Sequence, residues 1–117
     1  MLEQTIEWKQ VRIVVREMIN QDLFDTVSVF RKIAPESPEY NYRRNQFSLA
    51  IVQTVSTEGL PFEWVSLSAS PDKMQACYEA WCHMKPTLGK LWADTIYALN
   101  NSAEDEDLAP VVAVGEE

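Results

Sequence analysis

The chain is poor in the residue types that most chemistry relies on. It has one histidine, two cysteines and three glycines in 117 residues. The glycines Gly59, Gly89 and Gly115 are scattered, which excludes a glycine-rich phosphate loop. With His83 alone, general acid–base work would fall to carboxylates, and no carboxylate pair stands out from the solvated background. Cations are also scarce, with 10 Lys and Arg against 18 Asp and Glu and a net charge of −8. Such a balance argues against a general nucleic-acid binder, which neutralises phosphates with surplus cations, and against adhesion to anionic membranes. No apolar run approaches the roughly 18–20 residues of a membrane span. Residues 1–10 lack a basic start followed by an apolar run, so no secretory leader is expected there. Together these features lead us to expect a cytoplasmic protein with reduced thiols.

The acid that is present is unevenly placed. Residues 1–60 hold 7 cations and 8 anions, net −1, whereas residues 61–117 hold 3 cations and 10 anions, net −7. Six of those ten anions are Glu104, Asp105, Glu106, Asp107, Glu116 and Glu117. We therefore divide the chain into a nearly neutral body, residues 1–101, and an acidic C-terminal tail, residues 102–117, expected to be flexible. Hydrophobic residues make up 46% of the chain, enough for one core in a domain of this size.

Val11, Ile13 and Val15 alternate with Arg12, Val14 and Arg16, which predicts a strand at about 11–16. The same stretch also fits a helical stripe through Trp8, Val11, Val15, Met18 and Ile19. Asn20 or Asp22 can cap a helix running to about Ile33, with Leu23, Phe24, Val27, Phe30 and Ile33 as its apolar face. Ser37-Pro38 opens a second helix, read from Pro38 to Thr57, with Tyr40, Phe47, Ile51 and Val55 inward and Gly59 as its left-handed cap. Leu60 to Val65 reads as an extended connector lying across a groove between helices. Ser70-Pro71-Asp72 is the strongest helix start, and that helix carries Met74, Cys77, Tyr78, Trp81 and Met84. Lys85-Pro86 ends or kinks it. A last helix, about Thr87 to Leu99, carries Leu88, Leu91, Trp92, Ile96 and Leu99 and stops at Asn100-Asn101-Ser102. The expected fold is mainly α: a single domain of about four helices with one or two short N-terminal β-strands.

Individual residues offer little catalytic or ligand chemistry. Ser70 and Lys73 have the serine–lysine spacing of penicillin-recognising hydrolases, but the other motifs of those enzymes are missing and a helix cap accounts for Ser70. Cys77 and Cys82 stand about 140° apart on a helix, so they neither bridge nor share a metal easily. With His83 they fall short of the four ligands of a structural zinc site. Cys82 and His83 point about 100° apart, which excludes a thiol–imidazole pair. We assign no catalytic residue, no metal and no cofactor. Tyr40 to Phe47 interleaves aromatics with Arg43 and Arg44, the texture of a single-strand nucleic-acid surface, but the net charge favours an amphipathic helix turn with the arginines in water or paired with Glu36 and Glu39.

Four tryptophans are many for this length. Trp8, Trp81 and Trp92 are expected in the core, whereas Trp64, in the connector beside Pro61 and Phe62, is expected to close a groove or cover a partner. The candidate partner-binding residues are Phe62, Trp64, Met74 and Met84, the methionines being able to repack around varied side chains. This aromatic load on a near-neutral body also points to a homo-oligomer.

Two stretches carry a family resemblance. Val11-Arg12-Ile13-Val14-Val15-Arg16-Glu17-Met18 followed by Gln21-Asp22 resembles the strand-into-helix opening of the tail assembly chaperones of long-tailed bacteriophages. Glu58-Gly59-Leu60-Pro61-Phe62-Glu63-Trp64, followed by Met74 to Trp81, is similar to the middle of those proteins. The opening departs from the usual form in having no glycine turn before Val11. The resemblance implies a non-enzymatic protein of the host cytoplasm that holds the long apolar helical tape measure protein in solution during tail assembly. A frameshift-extended form of such proteins often recruits the tail tube protein. The alternative is a small helical protein-binding adaptor or regulator of bacterial or phage origin.

Overall fold

In a computed structural model of the chain, the backbone of residues 1–115 and the side chains of residues 1–101 are described. The alternation at residues 11–16 forms a strand, and a partner strand precedes it. β1 (Glu3–Trp8) and β2 (Val11–Arg16) pair antiparallel from Glu3 opposite Arg16 to Trp8 opposite Val11. That register leaves a two-residue turn, Lys9-Gln10. Two-residue turns require positive φ to match strand twist, and Lys9 supplies it at +56°. The hairpin thus forms without the glycine that its sequence lacks.

The next element corrects the expectation for residues 38–57. A short 3₁₀ turn, Pro38–Tyr40, leads into a helix that ends at Gln53, and Thr54–Glu58 forms a third strand. This β3 pairs antiparallel with β2, with Arg12 opposite Glu58 and Val15 opposite Thr54, and an irregularity at Val14/Val15. The sheet order is β1-β2-β3. Thr54, Val55 and Thr57 are β-branched and fit a pleated edge better than a helix. Of the expected inward face, Phe47 and Ile51 are buried, whereas Tyr40 and Val55 are exposed. Gly59 does take a left-handed φ of +81°, but it closes β3 instead of capping a helix. A side chain there would collide with the Gln10 carbonyl at the hairpin turn.

Four helices complete the domain: α1 (Asn20–Arg31), α2 (Asn41–Gln53), α3 (Pro71–Cys82) and α4 (Pro86–Gly115). The observed class is thus a helix-dominated single domain with a three-stranded antiparallel sheet. α3 starts where its sequence predicts, with Pro71 first and the Ser70 Oγ accepting the Lys73 N–H. α4 places Leu88, Trp92, Ile96 and Leu99 in the core, while Leu91 is exposed. Helical backbone continues through Asn100 and Asn101, so the stop expected there is absent. The reason is visible at Asn100, whose amide is used elsewhere. Its Oδ1 accepts from Gln53 Nε2 (2.7 Å) and the Met18 N–H (3.1 Å), and its Nδ2 donates to Gln53 Oε1. The flexible acidic tail expected over residues 102–117 lies outside the residues whose side chains are described.

The core sits between the inner sheet face (Ile6, Val11, Ile13, Val15) and the helices. Arg16 crosses its edge. It binds Asp22 through two hydrogen bonds, 2.7 and 3.0 Å, and donates to the Val52 carbonyl. Asp22 in turn accepts the Ile19 N–H and so fastens the first turn of α1.

Candidate partner-binding surface

The four residues proposed from sequence do not share one surface. Phe62 and Trp64 are half-buried in the connector, which lies against three helices as expected. The Trp64 ring is 4.7 Å from that of Trp92, 5.9 Å from Phe47 and 6.0 Å from Trp81. Trp64 thus covers the aromatic core and is itself half-buried. Phe62 lines a cleft of about 210 Å³ with Cys77 and Ala80. Met74 lies below, fully buried, and offers a partner nothing in this arrangement. Met84 is half-buried in a separate cleft of about 270 Å³ beside Trp81 and Cys82.

The two arginines that raised the nucleic-acid question are engaged internally. Arg43 donates to Glu36 Oε2 (2.8 Å) and to the Tyr78 hydroxyl (2.8 Å), and Tyr78 donates to Glu36 Oε1 (2.6 Å). The Arg43 hydrogen bond holds the Glu36 carboxyl below its ordinary value, burial opposes this, and Tyr78 adds to it. Arg44 is buried, stacks 3.9 Å from the Phe30 ring centroid, and donates to the carbonyls of Phe30 and Ile33. It therefore finishes α1 by satisfying carbonyls that the helix leaves open. Cys77 and Cys82 are free thiols, and burial pushes both above the ordinary thiol range, away from the nucleophilic thiolate. Among the described residues no three His, Cys, Asp or Glu side chains converge as metal ligands, and no helix is long and apolar enough to cross a membrane.

The surface that stands out is part of the face that the sequence assigned to the core: Ile33 is buried as expected and Phe30 is half-buried, but the rest of that face is not. On α1 the buried positions are Asp22, Thr26 and Val29. Leu23, Phe24 and Val27 face outward at 53%, 64% and 47% exposure, and Ile19 joins them. Two stripes compete on this helix: 22-26-29-33 and 19-23-24-27. The second is the more apolar, but the first carries Asp22. Turning the helix to bury Leu23 and Phe24 would carry Asp22 out to solvent and strip Arg16 of its carboxylate, leaving the guanidinium without a counter-charge at the edge of the core, which costs several kcal/mol. Leu23, Phe24 and Val27 are already about half covered, so burying them fully returns about 2–4 kcal/mol, less about 1.5–3 kcal/mol for exposing Val29. The ion pair decides the rotation. Its signal in the sequence is the pair of opposite charges, Arg16 and Asp22, flanking the strand-to-helix turn.

The exposed stripe borders a cleft of about 520 Å³ lined by Phe24, Val27, Ser28, Arg31, Lys32 and Pro71. Lys32 is held there by the carbonyls of Leu67 (2.6 Å) and Ala69 (2.8 Å), which tie the loop before α3 to the end of α1. Arg31 is exposed and forms no ion pair among the described residues. The result is a ledge two helical turns long, apolar along its length and cationic at one end. The chain matches no protein-family model, no curated protein and no solved structure.

Proposed function

We propose that the chain is a non-enzymatic, cytoplasmic tail assembly chaperone of the long-tailed-phage type, and that it holds apolar helical stretches of a tape measure protein against the outer face of α1. The observation that carries this reading is the exposure of Ile19, Leu23, Phe24 and Val27 on one helix face of a well-packed domain. Contiguous exposed apolar surface marks interaction sites, and an apolar ledge of helical spacing suits a helix laid alongside. The half-buried Phe62 and Trp64 offer a second, smaller contact.

The energetics shape the mechanism. Each of the four α1 side chains is roughly half exposed already, so covering them contributes on the order of 3–5 kcal/mol in all. By itself that corresponds to millimolar affinity. A single copy would hold a client briefly, whereas many copies along one long client would hold it firmly through effective concentration. Weak, repeated, apolar contact is what a protein needs if it must later yield to polymerising tail subunits.

The test is to look for a long helical tape measure gene beside the gene of this chain and to co-express its product. The client should move into the soluble fraction and co-purify in a ratio of many copies to one. A client that stays insoluble beside the well-folded chain would overturn the assignment and leave the general adaptor reading in its place.

A further inference from the structure

We infer that the free edge of β1 takes up an extended segment of another protein, one that alternates basic and apolar side chains, and adds it to the sheet as a further antiparallel strand. The α1 face plays no part in this contact, so the inference stands apart from client binding.

The hydrogen-bond phase of the hairpin fixes what the edge offers. In an antiparallel pair, bonded and non-bonded positions alternate along the strand. The Glu17 N–H donates to the Leu2 carbonyl (2.9 Å), one position beyond the Glu3–Arg16 pair. Leu2, Gln4, Ile6 and Trp8 therefore spend their backbone groups on β2, while Glu3, Thr5 and Glu7 turn their N–H and C=O groups to the other side. Among the described residues the sheet has no strand beyond β1, and Glu3, Thr5 and Glu7 are exposed. Natural sheets blunt such edges with short strands, bulges, lysine or proline. The opposite edge is blunted in this way, because β3 has five residues and an irregular register. β1 has six residues in unbroken register and contains neither lysine nor proline.

Charge and shape choose the occupant. The side chains of Glu3, Thr5 and Glu7 share the outer sheet face. Arg16 stands opposite Glu3 but binds Asp22, so Glu3 forms no ion pair among the described residues. Arg12 divides itself between Glu7 (3.6 Å) and Glu58 (3.7 Å). The edge thus keeps surplus negative charge, and opposite charges placed across from it stabilise a strand pair. An added strand needs basic residues four apart, opposite Glu3 and Glu7. Its intervening side chains point inward, toward a cleft of about 400 Å³ that Leu2 and Gln4 form with Thr95, Ala98 and Leu99 of α4. The matching pattern is Lys-Val-Thr-Val-Lys. β2 displays the same logic on its own side, with Arg12 and Arg16 opposite Glu7 and Glu3. A second copy's β1 is a poor occupant, because the register that uses the whole strand sets Glu3 against Glu7 of that copy, a like-charge pair. Recognition is therefore β-strand addition, with main-chain bonds giving affinity and alternate side chains giving specificity.

An amide NMR titration of the full chain with the capped peptide Ser-Lys-Val-Thr-Val-Lys-Ser tests this. Saturable shifts should centre on Glu3, Thr5 and Glu7 and weaken in high salt. The threonine N–H of the peptide faces Thr5, so methylating that nitrogen should weaken binding at least about fivefold. The valine N–H groups point away, and methylating one of them should change binding by less than about twofold. A chain carrying Glu3→Lys and Glu7→Lys should lose about tenfold for this peptide and prefer one with glutamate in place of lysine. Thermal melts check that this chain is folded, and the methylated peptides test wild type whatever they show. Phe24→Asp should bind the peptide as wild type does, which separates this edge from the α1 face. Absence of saturable shifts would overturn the proposal, as would shifts centred on α1 or equal binding of the two methylated peptides. A folded charge-reversed chain that still prefers the basic peptide would overturn it too.

Discussion

Helices α1 and α3 are each 12 residues long, yet they treat their apolar side chains in opposite ways. In α3, Met74, Cys77, Tyr78 and Trp81 follow the i, i+3, i+4, i+7 stripe and all are buried. In α1 the comparable stripe faces water, while Asp22 and Thr26 are buried. No charge on α3 competes for the interior, so apolar burial sets its rotation. On α1 a salt bridge between Arg16 and Asp22, with the carboxylate almost wholly enclosed, sets the rotation instead. The difference teaches that an amphipathic helix turns toward the interaction that is most expensive to break, which need not be its most hydrophobic face.

The comparison can be broken most forcefully on the α3 side. Trp81 lies 4.8 Å from Trp92 and packs on Phe47 and Trp64, so Trp81→Ala should cost about 3–5 kcal/mol in urea unfolding. An unchanged midpoint would mean that the aromatic cluster does not carry the fold. On the α1 side, Asp22→Ala should cost about 3 kcal/mol, because it leaves the Arg16 guanidinium with backbone carbonyls but no counter-charge. Replacing both partners with apolar residues should recover part of that loss. If Asp22→Ala is neutral, the ion pair does not orient the helix.

A smaller, pH-dependent effect joins the two helices. Glu36 follows α1 and accepts from Tyr78 of α3 and from Arg43. Its carboxyl lies below the ordinary value of 4.5. A lowered carboxylate contributes stability that is complete above the ordinary value and is lost as pH falls through the folded one. The stability gap between wild type and Glu36→Gln should therefore hold steady at neutral pH and close in acid. A gap that widens in acid would contradict the assignment. The smallest expected effect is the most diagnostic of the contrast. Leu23→Ser should change stability by no more than about 0.5 kcal/mol, whereas Met74→Ala in α3 should cost about 2–5 kcal/mol. Equal losses from the two would place Leu23 in a core.

Much of α3 and α4 was legible in the sequence because their signals are local. Ser70-Pro71 starts one helix, and Trp92, Ile96 and Leu99 trace the buried stripe of the other. The strand at Val11–Arg16 could be read from alternation, although its helical alternative could be rejected only once β1 was seen to pair with it. The unread parts depend on distant partners. Thr54–Glu58 continues a helical pattern until the free edge of β2 recruits it from some forty residues upstream. The hairpin turn was hidden because Lys9 adopts a conformation usually left to glycine or asparagine. The α1 face was misassigned because composition ranks Leu23 and Phe24 above Asp22, and only the position of Arg16 reverses that order. Of the residues read from sequence as partner-binding, Met74 is sealed in the core, because it lies on the buried stripe of α3, while Phe62, Trp64 and Met84 are half-covered.

The most direct test of the central claim is client retention by Phe24→Asp set against Trp64→Phe, each co-expressed with the tape measure protein and matched by thermal melts. If α1 is the docking face, Phe24→Asp folds like wild type, with a melting temperature within a few degrees, and loses the client, while Trp64→Phe keeps it. Full client retention by a folded Phe24→Asp chain would contradict the account.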